Sequence, residues 1–129
     1  MKKKILISIP AYNEANNIRP LYKKLNETLE KKRNEVDFEI LFINDGSKDN
    51  TVSEVLSLIE QTDNVSLIDL SRNYGKEIAM SAGFDYSTHD AVITMDADLQ
   101  HPPATIIDMI DLWQQGYEDV YAKRNQRKG

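Results

Sequence analysis

The sequence predicts one α/β domain over residues 1–129, with a Rossmann-like, mostly parallel sheet and flanking helices. Short apolar runs alternate along the chain with segments whose apolar residues recur at helical spacing, which is typical of βαβ units. Polar clusters also follow four of the apolar runs in succession. Because parallel strands all end at the same edge of a sheet, we expect these clusters to meet where such sheets bind ligands.

Four apolar runs predict the strands. The first, Ile5–Ile9, is apolar except for one serine and stops at Pro10, as expected of a strand that is covered on both faces. The next three are Phe38–Asn44, Val65–Ser71 and Ala91–Met95, and Asp119–Ala122 is a candidate fifth strand.

The first two helices follow the first two strands. In the first helix, apolar residues recur from Ile18 to Leu29, with Asn17 as the expected N-cap and Pro20 in the first turn, where proline is tolerated. Asp49 is the expected cap of the second helix. The apolar positions of that helix are Val52, Val55, Leu56 and Ile59.

The third and fourth helices contain or adjoin glycines and prolines. Asn73–Ser87 is the weaker helix, because Gly83 in a helix interior costs about 1 kcal/mol relative to alanine. Pro102 and Pro103 open the fourth helix, and Gly116 is its candidate C-cap.

Composition excludes several classes of protein. The chain is 40% hydrophobic, which is enough to bury a core, and its net charge of -5 argues against general nucleic-acid binding. There is no cysteine, which excludes thiol nucleophiles and thiolate metal sites. No run of about 18 apolar residues is present, so we expect no membrane-spanning helix in this chain.

The cluster after the fourth strand contains Asp96, Asp98 and Gln100. One interpretation is a turn that also caps the following helix. The other is a site for Mg²⁺ or Mn²⁺, which prefer oxygen ligands, since residues two apart in extended chain project to the same side. The cluster by itself does not decide between the two.

The other three clusters also have a structural and a binding interpretation. Either Asn13 or Glu14 helps to start a helix after Pro10, or Tyr12 packs on a base and Glu14 bonds its edge. Asp45 precedes a strand-to-helix turn and could in addition accept hydrogen bonds from a ribose or base. Arg72 and Lys76 are either solvated surface residues or lie near phosphates or a base. The sequence has no glycine-rich phosphate loop of the two common types, so phosphate binding would depend on metal and cations.

Four segments together carry a resemblance to a known family. "ISIPAYNEANNI", "LFINDGSKDNT", "LSRNYGKEIAMSAGFDYS" and "VITMDADLQHPP" resemble, in order and spacing, the motifs of the family 2 glycosyltransferases of the GT-A fold. The resemblance covers nearly the whole chain. Within the family, "SRNYGKE" and "DADLQHPP" are most similar to the polyprenyl-phosphate branch, which includes dolichol-phosphate mannosyltransferases and bacterial undecaprenyl-phosphate glucosyltransferases.

The resemblance implies roles for individual residues. Asp96 would be the catalytic residue near sugar and metal, while Asp98 and Gln100 would coordinate Mg²⁺ or Mn²⁺. Other residues would bind the nucleotide part of a UDP- or GDP-sugar. These are Pro10, Tyr12, Glu14 and Asp45 at the nucleoside, Arg72 and Lys76 beside it, and Arg124 and Arg127 at the donor diphosphate or acceptor phosphate.

The implied reaction is inverting transfer of a hexose from the nucleotide sugar to a polyprenyl phosphate. Family members are longer, so we expect residues 1–129 to be the nucleotide-binding half of a GT-A domain, with the base beyond Gly129 and no turnover by this chain alone. We expect a cytoplasmic chain, a full-length protein at the cytoplasmic face of the membrane, no nucleic-acid partner, and self-association through exposed sheet surfaces.

Two alternatives remain at this point. The acidic strand ends could belong to a non-catalytic, Mg²⁺-binding or partner-docking doubly wound domain. A sugar nucleotidyltransferase would share the parallel sheet, but the glycine-rich phosphate loop expected near the first strand is missing.

Overall fold

The computed structural model describes residues 2–98 and 104–116 of the chain. Within these ranges a 3₁₀ turn, Glu30–Lys32, follows the first helix. The elements in chain order are β1 (Lys3–Ala11), α1 (Ala15–Leu29), β2 (Val36–Asp45), α2 (Thr51–Gln61), β3 (Val65–Leu70), α3 (Lys76–Tyr86), β4 (Ala91–Thr94) and α4 (Ala104–Gln114). The predicted alternation of strand and helix is confirmed. The candidate fifth strand, Asp119–Ala122, lies outside the described residues.

The described strands form one parallel sheet in the order β3-β2-β1-β4. The chain builds outward from β1 through β2 to β3, then returns to place β4 on the other side of β1. The strand order therefore reverses next to β1, and open α/β sheets bind ligands outside the carboxyl ends of the strands at such a point. The polar clusters predicted from the sequence follow these same strand ends.

Helices pack on both faces of the sheet. On one face α1, α2 and α4 cover alternate residues of β1, namely Ile5, Ile7 and Ile9. On the opposite face α3 packs near Leu6 and Ile43. Because both faces of β1 are covered, its central residues are buried and all but Ser8 are apolar, as the apolar run predicts.

Gly83 lies where α3 approaches the sheet most closely. A Cβ atom at this position would lie 2.3 Å from Ser8 Oγ and 3.1 Å from Ile43 Cδ1. Glycine therefore allows a helix–sheet distance that alanine does not. The low helix propensity of glycine, which weakens the prediction from sequence, is outweighed here by close packing.

The predicted start of α1 was wrong. The helix begins at Ala15, so Asn17 is inside it and Pro20 falls in its second turn instead of its first. The reason is a partner distant in sequence, since the Ala15 N–H donates to Asp49 Oδ2 at 3.2 Å. A side chain from the β2–α2 loop thus accepts a backbone N–H at the start of α1, where the local sequence predicted Asn17 as the cap.

The start of α2 and the end of α4 agree better with the sequence, whereas Pro102 and Pro103, the predicted opening of α4, lie outside the described residues. Asp49 Oδ1 accepts the N–H of Thr51, the first residue of α2, at 2.9 Å, so Asp49 bonds the helix start as predicted, although the N-cap residue itself is Asn50. The buried face of α2 differs from the predicted stripe, because Leu56 is 49% exposed and Leu58 is buried. Gly116 has φ 107° just after α4 ends, which confirms it as a C-cap glycine. Among the described helices, none combines the length and the hydropathy needed to cross a bilayer.

Candidate active site

A cavity of about 190 Å³ lies at the carboxyl ends of β1, β2 and β4. It brings together residues from all four polar clusters, which are far apart in sequence, with Lys76 contributed by the start of α3. The predicted site residues that line it are Pro10, Tyr12, Glu14, Asp45, Lys76, Asp96 and Asp98. The convergence expected of a parallel sheet is therefore present in the fold.

An ion pair crosses this cavity. Lys76, the first residue of α3, places its Nζ against Asp96 Oδ1, beyond the end of β4. The Asp96 side chain is 12% exposed and that of Lys76 is 51% exposed. A carboxylate this deeply buried requires positive charge or hydrogen bonds close by, and the lysine supplies positive charge. The sequence did not predict this pairing.

Asp45 anchors the loop between β3 and α3. Its Oδ1 accepts the Tyr74 N–H at 2.8 Å, its Oδ2 accepts the Gly75 N–H at 3.1 Å, and its carbonyl accepts Asn73 Nδ2 at 3.1 Å. Asp45 is only 4% exposed. The ribose or base contact expected of it stays a prediction, whereas its bonds to the loop that precedes Lys76 are present in the structure.

Gly46 explains how that loop lies so close to the end of β2. Its φ is +74°, and a Cβ atom would lie 2.2 Å from the backbone nitrogen of Asn73. A positive φ by itself already favours glycine at this turn. The structure adds a second requirement, because the backbone of the β3–α3 loop occupies the space of a side chain.

The loop that carries Tyr12 and Glu14 is bonded to the β2–α2 loop. Asn13 adopts the left-handed region with φ 56°, which asparagine tolerates better than most residues. Its N–H donates to Ser47 Oγ at 2.8 Å, and its Oδ1 accepts the Lys48 N–H at 2.8 Å. Tyr12 and Glu14 are thus presented from a fixed backbone rather than from a free loop.

Asp49 ties the starts of α1 and α2 beside the site. Burial raises the pKa of Asp49, but hydrogen bonds from Thr51 and Ala15 outweigh burial and hold that pKa below its ordinary value. The ionised carboxylate is therefore the form that bridges the two helices.

A second, larger groove of about 780 Å³ adjoins the cavity, and Tyr12 lines both. Arg72 lies in this groove, with its guanidinium 5.0 Å from the centre of the Tyr74 ring. The structure thus separates Arg72 from the residues around Asp96.

Asn44 and Asp69 also line the groove and share a 2.8 Å hydrogen bond. The sequence did not single out either of the two, although both occupy strand ends, which is the signal that could have identified them.

Two of the three predicted metal ligands, Asp96 and Asp98, lie within the described residues. β4 ends at Thr94 and the chain turns at Ala97 and Asp98, so the extended-chain argument for same-side projection was wrong. Asp96 and Asp98 nevertheless line one cavity.

Gln100, Arg124 and Arg127 lie outside the described residues. In residues 2–98 and 104–116, no group of three or more histidine, cysteine or acidic residues is placed to hold a metal. Two carboxylates still fit Mg²⁺ or Mn²⁺, which take one or two carboxylates and complete their shell with phosphate oxygens and water. The Lys76 ammonium at Asp96 also indicates that the cavity accommodates positive charge.

An open parallel sheet with acidic residues and a lysine at its reversal point defines the Rossmann-like class of ligand-binding domains. Comparison with known sequences narrows this class, since residues 6–129 match the family described as glycosyl transferase family 2. The chain belongs to this family, as its motifs suggest.

Relatives of known name match almost the whole chain. An uncharacterized glycosyltransferase of Synechocystis sp. is 43% identical over 129 residues, which is 100% of this chain and 40% of the relative. A prophage bactoprenol glucosyl transferase homolog of Escherichia coli is 44% identical over 124 residues, which is 96% of this chain and 40% of the relative. The chain thus spans about 40% of the length of these curated relatives.

Solved structures share the fold. A mannosyltransferase from Pyrobaculum calidifontis in complex with GDP-Man and Mn²⁺ matches with a TM-score of 0.65 and 23% identity, over 76% of this chain and 28% of that one. S. aureus TarS in complex with UDP matches with a TM-score of 0.63 and 21% identity, over 89% of this chain and 32% of that one. The α/β fold is that of GT-A glycosyltransferases.

Proposed function

We propose that this chain is the donor-binding half of a glycosyltransferase that moves a hexose from UDP- or GDP-hexose to a polyprenyl phosphate with inversion. The observation that carries the proposal is the single cavity that contains Lys76, Asp96 and Asp98 at the reversal point of the sheet. The bactoprenol glucosyl transferase names among the relatives support the acceptor class, because bactoprenol is a polyprenol.

The nucleoside is proposed to lie along the first two strand ends. Tyr12 is 43% exposed at the wall shared by the cavity and the larger groove, so its ring is available to pack on a base. Pro10 and Glu14 line the cavity on the same side, and Arg72 faces the groove. Asp45 supports this region by holding the neighbouring loop and is proposed to contact the nucleoside as well.

The diphosphate is proposed to lie at the other side of the cavity, near Lys76 and the two aspartates. Asp96 and Asp98, with Gln100, would hold Mg²⁺ or Mn²⁺. When bound, that cation would neutralise the departing nucleoside diphosphate. Lys76 would contribute a further positive charge, and Arg124 and Arg127 are proposed to contact the donor diphosphate or the acceptor phosphate.

The acceptor phosphate is already an anion, so the reaction demands positioning and charge stabilisation more than deprotonation by a strong base. Asp96 is the residue we propose nearest the reacting sugar. The acceptor-activating part is proposed to lie outside these 129 residues, at the cytoplasmic face of the membrane in the full-length protein. The isolated chain is accordingly proposed to bind donor nucleotide without turnover.

Calorimetry on the chain tests this proposal. UDP and GDP are titrated with and without Mn²⁺ into the wild type, Asp98→Asn, and the control Asp63→Asn, which changes an exposed aspartate just before β3 at the opposite edge of the sheet. We expect one nucleotide to bind in a Mn²⁺-dependent way, with about a tenfold or greater loss in Asp98→Asn only. Equal binding without metal would contradict the proposal, and Mg²⁺ binding with no nucleotide binding would favour a non-catalytic domain.

A further inference from the structure

The ion pair between Lys76 and Asp96 joins two residues that are proposed to bind different ligands. Asp96 would bind the divalent metal, and Lys76 would bind the donor diphosphate. We propose that Lys76 is a tethered cation that competes with the divalent metal for Asp96, and that a donor diphosphate relieves this competition by attracting the Lys76 ammonium. The inference rests on the proposed function and concerns the order and coupling of binding at that site.

The geometry of the pair suits such an exchange. Asp96 belongs to the wall of the cavity, while Lys76 is about half exposed and reaches in from the rim. A buried carboxylate is costly without positive charge nearby, so Lys76 stabilises Asp96 in the absence of a metal. A cation that compensates Asp96 in this way must be displaced, or must share the carboxylate, when a metal binds there.

The position of Lys76 at the start of α3 favours an anionic ligand near this lysine. Lys76 is the first residue of the helix, where the partial positive charge of the N-terminus repels a cation and favours an anion. A diphosphate near this helix start would therefore meet both the helix N-terminus and the lysine. The local field at the helix start thus favours an anionic ligand.

The exchange needs only a side-chain rotation. Asp45 bonds the backbone of Tyr74 and Gly75, and Gly46 lies directly against Asn73, so the loop in front of Lys76 is fixed. The lysine stem is long and flexible. A partly exposed ion pair is also weak, so a ligand with two or more negative charges can compete with Asp96 for the ammonium.

Two consequences follow for binding. Without a diphosphate, Lys76 lowers the affinity of the site for a divalent metal. With a diphosphate, the ammonium moves to the phosphates, and Asp96 becomes available to the metal. Metal and diphosphate should therefore each raise the affinity for the other, and part of that coupling should depend on Lys76.

Mn²⁺ binding by calorimetry, first without nucleotide, tests the inference. The variants are Lys76→Met, which keeps an apolar stem, Lys76→Arg, which keeps the charge, and Lys24→Met, which removes an exposed charge from α1. Coulomb repulsion between one and two charges at about 5 Å in water predicts that Lys76→Met binds Mn²⁺ about tenfold more tightly than the wild type. Lys76→Arg and Lys24→Met should stay within about twofold of the wild type.

Lys76→Met should have the opposite effect on nucleotide affinity. In the presence of Mn²⁺, Lys76→Met should bind UDP or GDP about tenfold more weakly, because the diphosphate loses a charged partner. The factor by which nucleotide raises Mn²⁺ affinity should also fall in this variant. The uncharged nucleosides should bind equally to Lys76→Met and wild type. A purely structural role for Lys76 would weaken both ligands together.

The outcomes separate the inference from the proposed function. Unchanged or weaker Mn²⁺ binding by Lys76→Met overturns the inference, and the proposed function stands if the wild type still binds nucleotide with Mn²⁺. Tighter Mn²⁺ binding by Lys76→Met with no nucleotide binding in any variant supports the competition and overturns the donor-binding role. Absence of Mn²⁺ binding in both wild type and Lys76→Met, with and without nucleotide, contradicts both. Circular dichroism confirms that each variant is folded.

Discussion

Asp45 Oδ2 accepts the backbone N–H of Gly75 at 3.1 Å, and this bond connects the end of β2 to the loop in front of α3. The same carboxylate accepts the Tyr74 N–H at 2.8 Å through its other oxygen. Both oxygens of a nearly buried side chain are thus used to hold the backbone that leads to Lys76. Asp45 therefore holds the backbone of the site in place and also contributes negative charge to the cavity.

We predict that Asp45→Asn destabilises the chain by about 1–3 kcal/mol, because an amide can accept only one of the two N–H groups and its own N–H₂ faces the other. Urea unfolding measures this change, with Asp63→Asn as a control that alters an exposed aspartate. Loss of nucleotide affinity is expected to accompany the loss of stability. An Asp45→Asn protein as stable as the control would show that the loop does not depend on this carboxylate.

Gly46 and Gly116 form a matched pair of glycines with positive φ. Gly46→Ala is expected to cost about 3 kcal/mol or more, because its Cβ would lie 2.2 Å from the Asn73 backbone in addition to the strain at φ +74°. Gly116 has φ +107° with no atom within 4 Å of the Cβ position, so Gly116→Ala should cost only about 1 kcal/mol. Thermal unfolding of both variants compares them, and equal costs would contradict the close approach at Gly46.

Gly83 and Ser8 should show strong coupling in a double-mutant cycle. Gly83→Ala places a Cβ 2.3 Å from Ser8 Oγ, so we expect a loss of about 1–3 kcal/mol despite the better helix propensity of alanine. The Ser8 hydroxyl is buried without a hydrogen-bond partner, so Ser8→Ala alone should be neutral or stabilising.

Chemical denaturation of the two single variants and of Ser8→Ala/Gly83→Ala measures the coupling. The double variant should recover at least about half of the Gly83→Ala loss. Additive effects of the two substitutions would mean that α3 shifts away from the sheet instead of pressing on Ser8.

Glu39 should make stability depend on pH at a point remote from the cavity. Its carboxylate accepts hydrogen bonds from Ser66 and Tyr86 and lies 2.8 Å from His89 Nε2. Burial raises the pKa of Glu39, but these hydrogen bonds outweigh burial and hold that pKa below its ordinary value. A lowered folded-state pKa contributes stability above the unfolded value of about 4.3, and the contribution is lost as pH falls through the folded-state pKa.

The variant Glu39→Gln isolates this contribution. We expect it to be about 1 kcal/mol less stable than the wild type at pH 7, with the difference shrinking as the pH is lowered below about 4. Urea unfolding at several pH values provides the measurement. A difference that is constant with pH would mean that the ionised form of Glu39 adds nothing to stability.

The sequence predicts the sheet well because the signal is local. Each strand contains a short apolar run, and the run from Ile5 to Ile9 is apolar at every position except Ser8 because both faces of β1 are buried. The meeting of the polar clusters follows from strand direction, so Asp45 and Asp96 could be assigned to one edge of the sheet from the sequence alone.

The features that the sequence did not predict are contacts between residues distant along the chain. Asp49 satisfies the start of α1 from another loop, so the local cap Asn17 was a wrong prediction. The pairing of Lys76 with Asp96 likewise depends on where α3 begins relative to the end of β4. Such contacts are set by loop geometry, which residue spacing does not encode.

Paramagnetic line broadening in a ¹H–¹⁵N NMR spectrum shows where a metal-bound nucleotide lies on the chain. Substoichiometric Mn²⁺ is added in the presence of UDP or GDP, and the amide signals that broaden are identified. We predict selective broadening at Ala97, Asp98 and Gly75 around the cavity, with His89 and Asp63 at the other edge of the sheet unaffected. Uniform broadening, or broadening centred on Asp63 or His89, would contradict a metal-dependent nucleotide site at the carboxyl ends of β1 and β4.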